Sequence, residues 1–395
     1  MNDEYSNLNS DGDTYTYPGK FVLESGEFLM NPSVRYRTYG ALNKQRSNAM
    51  VVCHALTGNA ALDSWWGEML GPGKLFDTRK FFIICCNVLG SCYGTTGPTS
   101  LNPETGEPYG IDFPDITVRD NVKLHIEVVK DGLKVNRIAC VVGGSLGGMQ
   151  ALEWALCGGP EFVNCIMAMC CGAEHSPWQI GISETQRQAI YADPKWRDGN
   201  YLKYQDPPFS GLSVARQFAM ITYRTASAYV DKFGREEIAN EEAGYRQARY
   251  FEVERYLRYQ GKKFTSRYDP MSYIYVTRMM DTHDVGRARG GVRAALKRLT
   301  QPVLIISIDS DILYPPSEQN ALHRMLPHSE IHVIRSDNGH DGFLLDQVII
   351  DNLGKKFLEK HCPKFELPEL SSIISASKHK PWGSVALEQN VKSSL

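Results

Sequence analysis

Four short apolar runs in the first half of the chain alternate with segments of helical composition. The runs cover residues 49–53, 81–87, 138–142 and 165–170, and each is apolar over nearly its whole length. A strand that is apolar throughout is buried on both faces, which is typical of a parallel sheet covered by helices. The pattern therefore predicts an α/β fold with a mostly parallel sheet. The candidate crossover helices are residues 117–133 and 149–156.

The alternation stops between residues 179 and 299, where Arg, Gln, Tyr and Glu recur at helical spacing without a convincing buried strand. Two more buried strands are predicted at 303–308 and 331–334, followed by a helix over 343–359. We therefore predict a helical insertion within one α/β core. The core is expected to comprise residues 1–178 and 300–370, with the helical segment at 179–299 between them and a polar C-terminal tail at 371–395.

The composition excludes several classes of protein. Hydrophobic residues make up 42% of the chain and charged residues 22%, as in ordinary globular proteins, and the formal net charge is −2. This charge gives no electrostatic basis for binding nucleic acid or an anionic membrane. No apolar run approaches the roughly 18 residues that span a bilayer, so we do not expect a membrane protein. Because the net charge does not favour nucleic acid or an anionic membrane either, we expect a small molecule as the partner.

The N-terminus and the cysteines both indicate a cytoplasmic protein. The first residues are acidic and contain neither a basic region nor an apolar stretch, so they do not resemble a targeting segment. Most of the ten cysteines lie in apolar segments and no Cys-x-x-Cys is present. We therefore expect buried reduced thiols and no metal site.

The segment 143–147 reads Gly-Gly-Ser-Leu-Gly and lies between a predicted buried strand and a predicted helix. A Gly-x-Ser-x-Gly sequence in this context is typical of a nucleophile elbow, in which the serine hydroxyl is exposed at the helix N-terminus. Two other interpretations are a turn that only needs glycine for close packing and a phosphate-binding turn. The context favours Ser145 as a nucleophile.

A serine nucleophile needs a histidine base and a carboxylate that orients the histidine. In α/β-hydrolase topology the acid follows a later strand and the histidine follows the last one. Asp309 and Asp311 both follow the strand at 303–308, and His340 lies in a glycine-flanked loop after the last strand. We favour Asp311, because two residues into the loop its side chain can reach the next loop.

A second loop is predicted to help bind the oxyanion. His54 directly follows the strand at 49–53 and opens the sequence His-Ala-Leu-Thr-Gly. We expect the His54 ring to be structural and to bond the loop backbone. The amides of Leu56 and Leu146 are then expected to converge on the oxyanion.

An ordered set of longer motifs resembles the homoserine O-acetyltransferases that feed methionine synthesis. The resemblance runs from about residue 21 to residue 360. It is carried by HALTGNA, SWWGEMLGPGK, FDTRKFFIICCNVLGSCYGTTGP, NPETGEPYG, FPDITVRDNV, GGSLGGMQALEWA, ETQRQAIYADP, ITYRT, RYLRYQGKKFTSRYDP, DTHDVGRARGG, SDILYPP and GHDGFL. One departure is Leu146, where methionine is more usual in the family; the expected role belongs to its backbone amide.

The resemblance implies an α/β-hydrolase core with a helical lid, a homodimer formed largely through lid helices, and no permanently bound cofactor. It implies acetyl-CoA as the acyl donor and Ser145, Asp311 and His340 as nucleophile, acid and base. By the same resemblance, the substrate-binding residues are Arg224 for the carboxylate of the amino acid, Asp341 for its ammonium group, and Thr57.

Several alternatives stay open on the sequence alone. Serine could replace homoserine as the acceptor, a succinyl group could replace acetyl, water could be the acceptor in an esterase, and the triad could be a relic in a binding protein. Arg224 could be a surface charge and Asp341 a helix cap. A basic segment could be a solvated helix face or contact the phosphates of CoA; it comprises Arg287, Arg289, Arg293, Lys297 and Arg298.

Overall fold

The computed structural model of the protein describes residues 12–239 and 249–369, so the predicted tail at 371–395 lies outside the described residues. The described strands are β1 (Asp13–Thr16), β2 (Lys20–Val22), β3 (Phe28–Met30), β4 (Ser33–Tyr39), β5 (Ala49–Cys53), β6 (Phe82–Cys86), β7 (Ile138–Gly144), β8 (Ile166–Met169), β9 (Glu237–Ala239), β10 (Arg249–Phe251), β11 (Val303–Ile308) and β12 (Ser329–Ile334). Eight of them form one sheet in the order β1-β4-β6-β5-β7-β8-β11-β12.

Six neighbouring strands of this sheet, from β6 to β12 in that order, run parallel. The prediction of a mostly parallel sheet is therefore confirmed. At one edge, β4 pairs antiparallel with β6, and β1 pairs antiparallel with β4. This edge was not predicted, because half-exposed and buried residues are mixed along β4 and no continuous apolar run marks it.

The central strands are buried on both faces, as their continuous apolar sequences require. Alternate side chains of a strand point to opposite faces. On β5, Val51 belongs to one hydrophobic cluster and Val52 to the other, and on β6 Ile84 and Ile83 divide in the same way. Each face of the sheet therefore has its own core, and helices cover both.

The last strand, β12, differs from the prediction of a buried strand. It forms the edge of the sheet next to β11, where His332 is exposed and the Val333 side chain is half exposed. The apolar run alone did not reveal this position, because burial at an edge depends on what covers the strand. The strand still brings the following loop to the same end of the sheet as the loop after β11.

The described α-helices are α1 (Val118–Glu127), α2 (Leu146–Phe162), α3 (Pro177–Tyr191), α4 (Tyr201–Tyr204), α5 (Phe209–Tyr223), α6 (Ala226–Phe233), α7 (Glu252–Thr265), α8 (Pro270–Asp281), α9 (Val292–Arg298), α10 (Pro316–Met325), α11 (Gly342–Leu345) and α12 (Gln347–His361). The first crossover continues from α1 into a π-helical turn at Val128–Gly132. The second, α2, begins three residues before the predicted 149–156.

Helices α3 to α9 lie between β8 and β11 and form what we call the helical segment, residues 177–298. Within it, α5 packs against α3 and α7. The strands β9 and β10 pair in a short antiparallel ladder, mostly exposed, which the helical pattern did not predict. This segment lies where the sequence pattern of alternating strands and helices stops, between β8 and β11.

None of the helices in the described ranges has the length and hydrophobicity needed to cross a membrane. The ten cysteines are unpaired, and only Cys157 and Cys362 are partly exposed. The prediction of buried thiols is confirmed for the others. Burial raises the pKa of the Cys53 thiol well above its usual value, so this thiol stays protonated.

Candidate active site

Ser145 lies at the turn between β7 and α2 with backbone angles φ 57° and ψ −126°. Few residues other than glycine adopt such a conformation, and it is typically found where function requires it. The Ser145 amide donates a hydrogen bond to the carbonyl of Met169 on the neighbouring strand, with an N–O distance of 2.9 Å. The elbow is therefore held by the sheet, and the serine is placed at the N-terminus of α2.

The glycines on either side of Ser145 are required by close backbone approach. A Cβ atom on Gly143 would lie 2.3 Å from the backbone of Gly147, and one on Gly147 would lie 2.1 Å from the carbonyl oxygen of Cys53. Both distances are far below van der Waals contact, so no side chain fits without moving backbone. The interpretation of 143–147 as a tight elbow is confirmed.

His340 and Asp311 are joined by a hydrogen bond of 2.7 Å between Nδ1 and Oδ2, and both side chains are buried. The other carboxylate oxygen of Asp311 accepts hydrogen bonds from the amides of Leu313 and Tyr314. Because a carboxylate can only accept, Nδ1 of His340 carries the hydrogen in this bond and Nε2 is the nitrogen that could accept a proton. Asp309 is exposed and accepts from the Ser336 amide instead.

Ser145 and His340 lie at the same end of the sheet, where the parallel strands β7, β11 and β12 finish. The ring of Phe343 connects them: it packs edge-on against His340, with ring centroids 5.3 Å apart. On its other side it lies so close to Gly144 that a Cβ there would be 2.4 Å from the ring. Phe343 therefore contacts both the candidate base and the turn that carries Ser145.

The loop after β5 is organised by His54. The His54 Nδ1 is 2.8 Å from the carbonyl oxygen of Ala55, and the Val88 amide donates to Nε2 at 3.1 Å. Nδ1 is therefore the donor and Nε2 the acceptor. Burial lowers the pKa of His54 to about 4, so the ring is neutral near pH 7. The expectation that His54 is structural and bonds the loop backbone is confirmed.

Leu56 and Leu146 are the two residues whose amides are expected to bind an oxyanion. Both are buried. Among the described residues, neither amide donates a hydrogen bond to a protein acceptor. The loop that carries Leu56 touches the elbow, because the Cys53 carbonyl lies against Gly147. Leu146 directly follows Ser145, and a backbone amide without a protein acceptor can stabilise a developing negative charge.

Arg224 and Asp341 form an ion pair with each other, with 2.9 Å between Nε and Oδ2. Arg224 follows α5, and Asp341 directly follows His340. Burial raises the pKa of the Asp341 carboxyl, and the charge of Arg224 partly offsets this effect. The sequence suggested opposite ends of one substrate for these two residues, and the structure brings them together beside the candidate base.

Comparison with known proteins now defines the family. Residues 48–347 match the model of the alpha/beta hydrolase fold. The homoserine O-acetyltransferase of Nostoc punctiforme is 46% identical over 338 residues, which cover 84% of this chain and 92% of that protein. The chain belongs to the homoserine O-acetyltransferase family, within the alpha/beta hydrolases.

Solved structures support the same assignment. The homoserine O-acetyltransferase of Bacillus anthracis matches with a TM-score of 0.81 at 26% identity, over 90% of this chain and 99% of that one. Esterase E22 matches with a TM-score of 0.80 at 25% identity, over 88% of this chain and 99% of that one. The family fold is therefore used for both transfer and hydrolysis.

Two residues of the helical segment hold the loop after β5; the motifs contained them, but the sequence analysis did not single them out. Arg267 donates to the carbonyl of Thr57 at 2.9 Å, and the Tyr268 hydroxyl donates to the carbonyl of Leu56 at 3.2 Å. Arg267 also bonds the hydroxyl of Tyr93. A basic residue next to a tyrosine in the family motif RYDP was the available signal. Thr57 is thus held through its backbone carbonyl.

The basic segment divides into two groups. Arg287 pairs with Glu24 at 2.6 Å, and Arg289 binds both oxygens of buried Glu153, which Arg119 also contacts. These two arginines therefore belong to a partly buried ion network, which neither interpretation of the sequence included. The remaining members are exposed, as a solvated helix face would be; they are Arg293, Lys297 and Arg298. Within the described ranges, no three His, Cys, Asp or Glu side chains are grouped to hold a metal ion.

Proposed function

We propose that this protein transfers an acetyl group from acetyl-CoA to the hydroxyl of L-homoserine through an acetyl-serine intermediate, in methionine biosynthesis. The similar proteins named homoserine O-acetyltransferase support the reaction class. The observation that carries the acceptor assignment is the Arg224–Asp341 ion pair beside His340, because its two charges match those of a zwitterionic amino acid.

In the first half-reaction, Ser145 Oγ attacks the carbonyl carbon of the thioester while His340 Nε2 takes the serine proton. The amides of Leu56 and Leu146 donate to the oxyanion of the tetrahedral intermediate. Collapse of the intermediate breaks the carbon–sulfur bond, and His340 returns the proton to the thiolate. Free CoA leaves and an acetyl ester remains on Ser145.

In the second half-reaction, the γ-hydroxyl of homoserine attacks the acetyl-serine carbonyl. His340 takes the hydroxyl proton and then gives it to Ser145 Oγ as the ester bond to the enzyme breaks. Asp311 stabilises the imidazolium that forms in each half-reaction, through its 2.7 Å hydrogen bond to Nδ1. The cycle is ping-pong, because CoA departs before the acetyl group is transferred.

Binding of the acceptor would exchange one ion pair for two. The carboxylate of the amino acid would bind the Arg224 guanidinium, and its ammonium group would bind Asp341. Arg224 is also within 3.4 Å of the Asn338 amide oxygen, which holds the guanidinium at the loop that carries His340. The total charge of the site is unchanged by this exchange, so the zwitterion is favoured over a cation or an anion.

We further propose that the helical segment acts as a lid and as the surface of a homodimer. Four apolar side chains of α5, α6 and α7 are about half exposed or more: Val214, Ile221, Val230 and Tyr259. Apolar groups of this kind are typically covered by another protein surface. A lid over Ser145 would exclude water and favour transfer over hydrolysis. A biosynthetic reaction on acetyl-CoA fits a cytoplasmic location.

The competing candidate is an esterase, for which the similarity to esterase E22 is the specific observation. Incubation with acetyl-CoA and homoserine, serine or no acceptor separates the candidates, if CoA release and acetylated product are both measured. We expect kcat/KM for homoserine to exceed that for serine by about 10-fold to 200-fold, since one methylene separates them. Rapid CoA release without an amino acid would favour the esterase, and equal use of serine would change the acceptor.

The acetyl-serine intermediate has its own test. Mass spectrometry of the protein mixed with acetyl-CoA alone should show one added acetyl group on wild type. The Ser145→Ala variant should show none and should lose about 10⁴-fold or more in turnover. An acetylated Ser145→Ala protein would mean that another residue is the nucleophile. Succinyl-CoA in place of acetyl-CoA tests the donor in the same assay.

A further inference from the structure

A second buried histidine, His175, is connected to the candidate base through Tyr314. His175, between β8 and α3, has its Nε2 2.9 Å from the hydroxyl of Tyr314 and its Nδ1 3.2 Å from Asp281 Oδ1. Arg187 pairs with the other oxygen of Asp281 at 2.7 Å. The chain of contacts therefore starts at Arg187 in α3 and Asp281 at the end of α8. It passes through His175 and ends at Tyr314, three residues after the candidate acid.

The direction of the hydrogen bonds follows from the protonation states. Burial raises the pKa of the Tyr314 phenol well above its usual value, so the hydroxyl keeps its proton. The carboxylate of Asp281 can only accept, so Nδ1 of His175 carries the hydrogen that faces it, and Nε2 of the neutral ring accepts from the Tyr314 hydroxyl. Each bond polarises the next, so the Asp281 carboxylate strengthens the hydrogen bond from the Tyr314 hydroxyl to His175 Nε2.

Tyr314 contacts both members of the His340–Asp311 pair. Its ring is stacked on the His340 ring, with centroids 5.1 Å apart and planes 29° apart. Its backbone amide donates to Asp311 at 2.9 Å. The face of a phenol ring attracts a cation, so this stacking is more favourable when His340 is an imidazolium than when it is neutral.

We propose that His175 is a positioning residue for the reaction, which acts through Tyr314 to fix the plane of the His340 ring and to stabilise its protonated form. Removal of the Tyr314–His175 hydrogen bond leaves the ring free to shift and makes its face less electron-rich. The proposal also gives the helical segment a part in positioning His340, because Asp281 and Arg187 belong to that segment. It rests on the proposed role of His340 as the base.

Other titratable side chains surround these residues, and any test must leave them in place. Those that act on His175 or Tyr314, besides Asp281 and Arg187, are Glu318, His283, Cys171, Asp311 and Tyr223. Asp341 faces His340 itself. Conservative substitutions at Tyr314 and His175 leave all of these side chains in place, so a change relative to wild type reports the altered hydrogen bond.

The experiment compares Tyr314→Phe, His175→Gln and the double variant with wild type. Tyr314→Phe keeps the ring and the backbone amide and removes only the hydroxyl. We expect each single variant to lower kcat by about 3-fold to 10-fold, the range of one hydrogen bond. The acid limb of kcat/KM should move to lower pH, because the imidazolium is less stable. The double variant should be no worse than either single one, since both break the same bond.

Tyr275→Phe is the matched control, because it removes a tyrosine hydroxyl that donates to the Ile111 carbonyl at 3.0 Å outside this chain of contacts. It should change the melting temperature at most. An unchanged pH profile in Tyr314→Phe, or additive losses in the double variant, would overturn the proposal. The hydrolysis of p-nitrophenyl acetate gives the same pH profile without homoserine. Failure of the proposed function would therefore remove acetyl transfer but leave this readout intact.

Discussion

The Nε of Arg224 and the Oδ2 of Asp341 are 2.9 Å apart, and the Asp341 side chain belongs to the residue that follows the candidate base. Without substrate, each of these partly buried charges has the other as its partner, which limits the cost of their desolvation. A zwitterionic amino acid can replace both partners at once, whereas a simple ester offers neither charge. This pair is the main structural reason to expect an amino acid as the acceptor.

Replacement of Arg224 by alanine should affect one substrate selectively. A charged hydrogen bond is worth about 1.5 to 3 kcal/mol, so Arg224→Ala should raise the KM for homoserine by about 10-fold to 100-fold and leave the KM for acetyl-CoA unchanged. Arg255→Ala is a suitable control, because Arg255 is an exposed arginine on α7 of the same helical segment. Steady-state kinetics with each substrate varied in turn measure the effect. An equal rise in both KM values would contradict the proposed carboxylate contact.

The two aspartates after β11 should differ strongly in their effects on turnover. Asp311→Asn keeps the size of the side chain, but an amide group has only one acceptor oxygen where the carboxylate has two. His340 is then no longer held with its proton on Nδ1, so we expect a loss of about 10⁴-fold in kcat. Asp309→Asn should cost less than about 10-fold, because Asp309 is exposed and its contact to the Ser336 amide can be kept by an amide oxygen. The reverse ranking would identify the other carboxylate as the acid.

The fold could be predicted where burial is decided by the strand itself. The strands Ala49–Cys53 and Val303–Ile308 are apolar throughout, and the structure has them with the predicted bounds. Strand β4 mixes partly exposed residues such as Arg35 with buried ones that include the charged Arg37, so it contains no continuous apolar run. It could be predicted from the topology that the elbow, acid and histidine loops lie together, because parallel strands finish at the same end of a sheet.

The contacts that refine the site could not be predicted in the same way. The Arg267–Thr57 bond joins residues 210 positions apart, and the His175–Tyr314 bond joins residues 139 positions apart. The first depends on how the helical segment packs on the core, and the second on how the residues just before α3 meet the loop after β11. Thr57, Arg267 and Tyr314 lie in the family motifs and His175 lies outside them, but a motif does not say which of its members touch. The pairing of Arg289 with Glu153 was missed for the same reason.

Arg289 should contribute to stability rather than to donor binding. It donates to both oxygens of Glu153, whose side chain is almost fully buried. Arg289→Ala leaves this carboxylate with Arg119 as its remaining cation, and we expect a loss of about 3 kcal/mol in the free energy of unfolding. Urea denaturation measures it. Arg293→Ala, at an exposed position, should change stability by less than about 0.5 kcal/mol. A higher KM for acetyl-CoA in a stable Arg289→Ala protein would instead indicate contact with CoA.

Three buried histidines should make the protein sensitive to mild acid. Burial lowers the pKa of His54 and His283 to about 4 and that of His125 to about 3. The value in an unfolded chain is about 6.5, so between these limits the unfolded state binds more protons than the folded state. The stabilisation is fully present above pH 6.5 and is lost as the pH falls toward 4.

For His54 alone, a pKa difference of roughly 2.5 between the two states corresponds to about 3 kcal/mol between pH 6.5 and pH 4. We expect the free energy of unfolding, measured in urea at several pH values, to fall with a slope of up to about 1.4 kcal/mol per pH unit for each such histidine. His54→Gln should be less stable at pH 7 but should have a shallower slope, because the protonation of one buried ring no longer opposes folding. His328→Gln, at an exposed position, should leave the slope unchanged. An unaltered slope in His54→Gln would mean that this ring is not held neutral by its burial in the loop after β5.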